Sequence, residues 1–260
     1  MANIVRCELP DGVQRFKPFT VEDYRDLLLV RNDMNTKSEE DQKQLIAELM
    51  DDYFHDHPVE YRPYIFLKVF LSSIGKTKIP VRMKCPKCGK YKQYLFNLNQ
   101  PPLTNPKVEV AGLTLKFKKP IEIIDDTGKM ILDNIISVKD SSGEYQWNEL
   151  SDSNKLTVID AIDVETLEKI LSQMKPFNFE LKTSCCDTTT VLKYDNIVDI
   201  FKLLLHPDEI FTFYQINHRL VSQGKYDLNS IMKMLPIERG ITLSLIEKDR
   251  SEERRVGKEC

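Results

Sequence analysis

Four cysteines, divided between two distant segments, are the residues of this chain best suited to chemistry. Cys85 and Cys88 belong to a Cys-Pro-Lys-Cys-Gly turn, and Cys185 and Cys186 lie next to each other far downstream. Four thiolates are a common ligand set for a tetrahedral metal ion, above all zinc. Such a site leaves no coordination position open for water or substrate, so the ion stabilises the fold without activating a nucleophile. The four cysteines therefore predict a structural zinc site.

The first cysteine pair is predicted to form a zinc-knuckle turn between two short strands. The strands cover residues 79–83 and 91–98, and Gly89 supplies a left-handed backbone position in the turn. Five basic residues surround it: Arg82, Lys84, Lys87, Lys90 and Lys92. Their positive field is expected to offset the charge of a zinc–thiolate centre and to lower the pKa of the thiols. A disulfide and simple burial are alternatives; a redox site is disfavoured because a strand, not a helix, follows the motif.

The second cysteine pair needs a turn of its own. Consecutive side chains on an extended backbone point to opposite faces, so Cys185 and Cys186 can bind one ion only if the chain turns there. The polar residues between the predicted strands 177–182 and 188–193 permit such a turn. If only Cys185 binds the metal, Asp187 becomes the alternative fourth ligand.

Composition narrows the class of protein. The chain has 260 residues, 41% of them hydrophobic, and a formal net charge of −3. This balance is typical of a globular protein and excludes an overall field that attracts polyanions. Cysteine usage and the lack of a leader or a long apolar segment predict a reducing cytoplasm and no membrane insertion.

The hydrophobic pattern predicts an α+β protein, in which helical N- and C-terminal regions surround a zinc-ribbon-like β-hairpin core. The expected regions are strands and helices in residues 1–78, a zinc-ribbon-like β region with a long insertion in residues 79–194, and C-terminal helices in residues 195–250. Residues 251–260 resemble a translated adapter remnant and are expected to break the preceding helical pattern. Cys260 is therefore left out of the metal site.

Capping residues mark the N-terminal helices, which follow two strands around the turn at Gly12. Thr20, with Asp23 three residues later, predicts a helix to residue 30, and Ser38 predicts a second helix. A third helix over residues 59–74 contains the most apolar run of the chain. Because a lysine interrupts that run, it predicts a core helix rather than a membrane anchor.

The long insertion and the C-terminal region alternate between strand and helix patterns. Residues 107–117 predict a two-stranded ribbon, followed by helices over residues 130–138, 155–162 and 164–174, the last capped by Asp163. The C-terminal helices are predicted over residues 196–205, 207–223, 228–234 and 236–248.

Two groups of motifs resemble those of the T4-type bacteriophage baseplate hub proteins. The C-terminal group is Tyr214-x-x-Asn217-x-x-Leu220-x-x-x-Gly224, followed by Leu228-x-x-Ile231-x-x-Met234-Leu-Pro-Ile-Glu238-Arg239. The N-terminal group is Glu8-Leu-Pro and Pro18-Phe-Thr-Val-Glu-Asp-Tyr24-Arg. With the central knuckle, the resemblance spans the chain up to Arg250, and the length is similar to that of the longer hub-assembly protein.

The resemblance implies a non-enzymatic role in the assembly of the central hub of a contractile phage tail. The implied partners are hub and tail proteins of the baseplate, and the implied location is the host cytoplasm during assembly, or the baseplate of the virion. The C-terminal helices are the predicted partner surface, with Phe211, Tyr214, Arg219, Met234, Glu238 and Arg239 as its residues. The alternatives are a buried aromatic stripe and, for the Glu238–Arg239 pair, an intramolecular clamp.

Two other classes of function are weaker. A zinc-ribbon nucleic-acid-binding module is suggested by the basic knuckle with Tyr91, Tyr94 and Phe96, but the net negative charge disfavours it. An enzyme is disfavoured because the four histidines accompany no serine elbow, metalloprotease helix or phosphate loop. His55 and His57 are expected at a solvated helix C-terminus rather than on a metal. The acidic pairs at residues 51–52 and 125–126 are expected in exposed turns or helix faces.

Overall fold

Strand pairing in this protein is local and antiparallel. The computed structural model describes residues 4–120, 124, 126–186 and 188–259. Within them the strands form three two-stranded sheets and one four-stranded sheet, and helices fill much of the remaining chain. The mixed α/β composition that the pattern predicts is confirmed.

The N-terminal region begins with a hairpin and continues with three helices. Its elements are β1 (Val5–Leu9), β2 (Gly12–Phe16), α1 (Val21–Asp33), α2 (Glu39–Phe54) and α3 (Arg62–Ile74). The Asp23 N–H donates to Thr20 Oγ1 and the Thr20 N–H donates to the Asp23 carboxylate, which completes the predicted capping box of α1. At the start of α2 the Asp41 N–H donates to Ser38 Oγ, so both predicted helix starts are confirmed.

Helix α3 lies at the centre of the larger hydrophobic core. Ten of its thirteen residues are buried, and the rings of Phe66 and Phe70 pack against each other and against rings from α1 and from the chain before it. The Lys68 ammonium group, which interrupts the apolar run, donates to the Gln100 carbonyl at 2.6 Å. No helix among the described residues is both long and apolar enough to cross a membrane.

The first cysteine pair lies in the turn that connects β3 (Lys78–Lys84) and β4 (Tyr91–Asn97). Ile79 lies opposite Phe96 and Lys84 lies opposite Tyr91, so the hairpin closes at the cysteine turn. One face carries half-buried or buried apolar side chains and the other is exposed, as the alternating direction of side chains on a strand requires.

The insertion folds around a second, smaller core. Its elements are β5 (Lys107–Val110), β6 (Leu113–Phe117), α4 (Thr127–Asn134), β7 (Ile135–Lys139), β8 (Glu144–Gln146), α5 (Asp152–Asp160) and α6 (Val164–Met174). The Asp163 cap and both bounds of α6 are confirmed. The predicted ribbon is confirmed as β5 and β6, but it forms part of a four-stranded sheet in the order β5-β6-β7-β8.

The helix predicted over residues 130–138 is wrong in its second half. Helix α4 ends at Asn134, and β7 begins at Ile135 and pairs with β6, where Val138 lies opposite Leu115. Apolar residues at 130, 131, 135 and 138 fit a helical stripe, but Ile135, Ile136 and Val138 are β-branched and favour a pleated surface. Pairing with β6 therefore decides the conformation.

The remaining elements return to the larger core. They are β9 (Phe179–Cys185), β10 (Thr188–Tyr194), α7 (Ile197–Leu204), α8 (Glu209–Ser222), α9 (Leu228–Lys233) and α10 (Pro236–Glu259). All four predicted C-terminal helices are present, but α10 continues well beyond the predicted end near residue 248. Glu, Lys and Arg, which dominate this segment, are good helix formers, so the expected break in the helical pattern is wrong. The foreign origin of residues 251–260 remains a prediction.

Candidate metal centre

The first half of the cysteine cluster is a tight turn at the end of β3. The Cys85 N–H donates to the Lys90 carbonyl at 2.9 Å, and the Gly89 N–H donates to the Cys85 carbonyl at 2.9 Å. Gly89 has a φ of +69°, as predicted, and a side chain would be strained in this left-handed conformation. The turn places Cys85 and Cys88 on the side that faces the second hairpin.

The second half is a turn in which Cys186 takes the unusual conformation. Cys185 is the last residue of β9 and lies opposite Thr188, and Cys186 follows with a φ of +52°. In an extended chain the side chains of Cys185 and Cys186 would point in opposite directions. The left-handed turn points them the same way, so their sulfurs lie 3.8 Å apart. The predicted turn is therefore present. Asp187, the alternative fourth ligand, lies outside the described residues.

The two turns bring all four sulfurs together. The Sγ atoms lie within 4.8 Å of one another, and Cys88 Sγ is 3.8 Å from Cys185 Sγ. A regular tetrahedron with metal–sulfur distances of about 2.3 Å has sulfur–sulfur edges of about 3.8 Å. A disulfide would need about 2.05 Å, and these cysteines are free. The predicted cysteine cluster is confirmed, and it is close enough to bind one metal ion.

Electrostatics differ between the members of the cluster. Backbone N–H groups of Cys88 and Lys87 donate to the Cys85 sulfur and lower the pKa of this thiol to about 6. Hydrogen bonding to the neighbouring thiols raises the pKa of Cys186 to about 12, and the pKa of Cys185 is also raised. The expectation that the basic residues lower every thiol pKa is therefore wrong, because sulfur–sulfur interactions dominate. A metal ion would replace the protons that these sulfurs share.

Two of the surrounding lysines connect the hairpins. Lys92 Nζ donates to the Ser184 carbonyl at 3.0 Å, and Lys87 Nζ donates to the Cys186 carbonyl at 3.4 Å. Below them, the Phe96 ring packs against the rings of Phe179 and Tyr194, with centroids 6.0 and 5.3 Å away. The cavity beside Cys85 and Cys185, between the two turns, has a volume of only about 40 Å³, which is too small for a substrate. This arrangement is suited to holding two segments together.

Two models of known protein families match the chain. The model of the T4 bacteriophage base plate protein family matches residues 1–202. The chain belongs to this family. The model of the baseplate hub assembly protein Gp51 C-terminal domain matches residues 204–251, so the two matches confirm the resemblance to hub-assembly proteins and leave residues 252–260 outside both. No curated protein and no solved structure matches the chain.

The predicted partner residues of this baseplate protein do not form one surface. Phe211 and Tyr214 are 68% and 53% exposed on α8. Arg219 follows Tyr214 by five residues, which turns it about 140° around the helix, and there it pairs with Glu247 of α10 at 3.2 Å. The Met234 carbonyl accepts the Val21 N–H at 2.8 Å. Partner contact through the exposed aromatic residues remains a prediction.

Glu238 and Arg239 serve the intramolecular structure. Glu238 Oε2 accepts the Leu235 N–H at 2.9 Å and so caps the start of α10. Arg239 is only 6% exposed, and its Nη1 donates to Asn217 Oδ1 at 3.2 Å. Its guanidinium lies 4.6 Å from the Phe213 ring centroid and 5.8 Å from that of Tyr24. The expectation of an exposed Arg239 is therefore wrong, and the clamp alternative is the one observed.

The histidines near the end of α2 lie at a helix terminus, as expected. Arg62 Nε donates to the His57 carbonyl at 2.9 Å and Arg62 Nη2 to the His55 carbonyl at 3.3 Å, which satisfies backbone groups beyond the last turn. His55 Nε2 lies 3.2 Å from Asp56. The cysteine cluster alone meets the geometric requirement for a metal site among the described residues. The predicted acidic pair at residues 125–126 is not fully described, because Asp125 lies outside the residues that the structure describes.

Proposed function

We propose that this protein is a non-enzymatic assembly factor or subunit of the central hub of a contractile phage tail, and that it binds one structural zinc ion. The observation that carries the proposal is the cluster of four sulfurs within 4.8 Å, which joins two hairpins in a chain that two baseplate families cover almost completely. The hub and its tail proteins are the proposed partners, in the host cytoplasm during assembly or in the virion baseplate.

The choice of zinc follows from the ligands. Thiolates are soft donors that select zinc, iron–sulfur clusters or copper(I), and a tetrahedral set of four cysteines from two turns is typical of structural zinc. We propose Cys85, Cys88, Cys185 and Cys186 as the ligands. The two facing hairpins then form a zinc-ribbon-like core, which carries the insertion with its own smaller core between the two halves of the site.

A structural role is supported over a catalytic one. Four protein ligands fill the coordination sphere of zinc, so the ion would have no position for substrate. Baseplate structural and assembly families are also generally non-enzymatic. The exposed aromatic side chains of Phe211 and Tyr214 support a partner surface on α8, since aromatic residues dominate protein interfaces.

The experiment that tests the proposal has two measurements on the same tagged protein. Elemental analysis of freshly purified, reduced protein is expected to give one zinc ion per chain. Purification from phage-infected cells, followed by mass spectrometry, is expected to recover baseplate hub proteins. Purified protein that contains no metal would contradict the proposed zinc site. Recovery of host ribosomes or DNA without tail proteins would contradict the proposed assembly role.

A further inference from the structure

The outer face of the β3–β4 hairpin is an exposed surface that the metal site does not use. The inner face packs toward the larger core through side chains such as Met83 and Phe96. The outer face carries Tyr91 and Leu95, which are 62% and 69% exposed. Within the described residues these two strands pair only with each other, so no further strand extends this ribbon at its edges.

This face is strongly positive in a chain whose net charge is negative. Residues 61–108 contain no aspartate or glutamate, although the whole chain has a formal charge of −3. Lys78, Arg82 and Lys84 lie on the outer face of β3, and all three are exposed. At about 3.3 Å per residue they extend over about 20 Å. A linear row of cations fits an extended partner with several negative charges.

The cations of the β3–β4 hairpin and its turn divide into two groups. Lys87 and Lys92 donate to carbonyl groups of the second hairpin and thereby hold the two turns together. Within the described part of the chain, the side-chain ammonium groups of Lys78 and Lys84 form no hydrogen bond or ion pair. The Arg82 guanidinium lies 5.4 Å from the Tyr91 ring centroid, a stacking contact that orients it while leaving its N–H groups available. The outer cations are therefore available to a partner.

We infer that the outer face, defined by Lys78, Arg82, Lys84, Tyr91 and Leu95, binds an extended acidic segment of a partner protein. The inference rests on the proposed assembly function and names the chemistry of one partner. Lysine and arginine would pair with carboxylates, while Tyr91 and Leu95 would contact apolar side chains between them. A short acidic segment experiences mainly this local field, because salt screens charges beyond about 8 to 10 Å. A long polyanion would also meet the negative remainder of the chain.

The test is fluorescence anisotropy with the full chain and a labelled peptide that has glutamate at alternate positions, serine between them and one central tyrosine. The same peptide with glutamine in place of glutamate is the uncharged control. We expect the acidic peptide to bind about tenfold more tightly at low salt, from a few exposed charge pairs. Equal affinity for the two peptides would overturn the inference without any variant of the protein.

Charge reversal locates the contact. The variant Lys78→Glu/Arg82→Glu/Lys84→Glu is expected to lose the preference for the acidic peptide. A control variant with the same change in net charge, Lys17→Glu/Lys129→Glu/Lys233→Glu, alters exposed lysines elsewhere and is expected to retain it. Circular dichroism and metal content check the fold of both. Equal loss in the two variants would show a non-specific charge effect and overturn the inference.

Two further outcomes identify a different occupant. Tighter binding of a labelled oligothymidylate than of the acidic peptide, lost in the outer-face variant, would overturn the inference in favour of nucleic acid. Self-association in sedimentation, lost in the same variant, would overturn it in favour of a second copy of this chain. If the acidic peptide does not bind but tail proteins still co-purify, the surface is wrong and the assembly function stands.

Discussion

Replacing Arg239 by alanine is expected to destabilise the protein far more than replacing an exposed arginine on the same pair of helices. Arg239 connects α10 to α8 through its hydrogen bond with Asn217 and its contact with the Phe213 ring. It also reaches the Tyr24 ring on α1. Because this one side chain joins three helices, α10, α8 and α1, its removal should loosen the C-terminal region as a whole.

The expected magnitude follows from these contacts. A hydrogen bond to a charged group contributes about 1.5 to 3 kcal/mol, and each shielded ring contact contributes about 1 to 2 kcal/mol. Burial opposes this gain and lowers the pKa of the Arg239 guanidinium, because the charge has lost part of its hydration. Truncation would also leave the Asn217 oxygen without its donor. We therefore expect Arg239→Ala to reduce the free energy of unfolding by about 2 to 4 kcal/mol.

Chemical denaturation followed by circular dichroism measures this effect. Arg219→Ala is the matched control, since Arg219 joins the same two helices through an exposed ion pair with Glu247 that is worth at most about 1 kcal/mol. In a double-mutant cycle, Asn217→Ala and Arg239→Ala should be non-additive by more than about 0.5 kcal/mol. Equal effects of Arg239→Ala and Arg219→Ala, together with additivity in the cycle, would refute the clamp.

Four further predictions concern the metal, its ligands, the partner surface and the chain end. Removing the metal with a chelator should lower the free energy of unfolding by up to about 4 to 5 kcal/mol, because the ion would link segments 97 residues apart. An unchanged thermal midpoint after chelation would contradict a structural ion. If both cysteines of the second pair are ligands, Cys185→Ser and Cys186→Ser should each reduce zinc content in elemental analysis; full zinc in Cys186→Ser would restrict ligation to Cys185. Tyr214→Ala should weaken binding to hub proteins by about 1 to 3 kcal/mol in calorimetry without changing the thermal midpoint, and early unfolding would assign Tyr214 to the fold. Deleting residues 251–260 should leave zinc content and hub binding unchanged, and loss of either would make this helical end part of the native protein.

Local signals made much of the secondary structure predictable. Thr20 with Asp23, Ser38 and Asp163 mark helix starts that the structure confirms. Each of these caps acts on backbone N–H groups within three residues, so the neighbouring sequence is sufficient. Gly89 is predictable for a similar reason, because the tight turn after Cys88 requires a left-handed conformation.

Other features depended on partners that are distant in sequence. Residues 135–139 fit a helical stripe as well as a strand, and pairing with β6 decides that they form β7. The cysteine cluster likewise depends partly on local sequence and partly on distant contacts. The four candidate thiol ligands are visible in the sequence, but the left-handed turn at Cys186 and the packing of Phe96 on Phe179 bring the two pairs together.

The sequence by itself determined the family resemblance, the four cysteines of the candidate site and most helix starts, since these depend on residue types and on short spacing. Tertiary structure alone decided which predicted partner residues remain accessible. Arg239 is buried because α1 supplies the Tyr24 ring and α8 supplies the Phe213 ring and the Asn217 amide oxygen. In contrast, Phe211 and Tyr214 project from the exposed face of α8. The exposure of a side chain depends on all the elements packed around it, and its neighbours in sequence form only a small part of that environment.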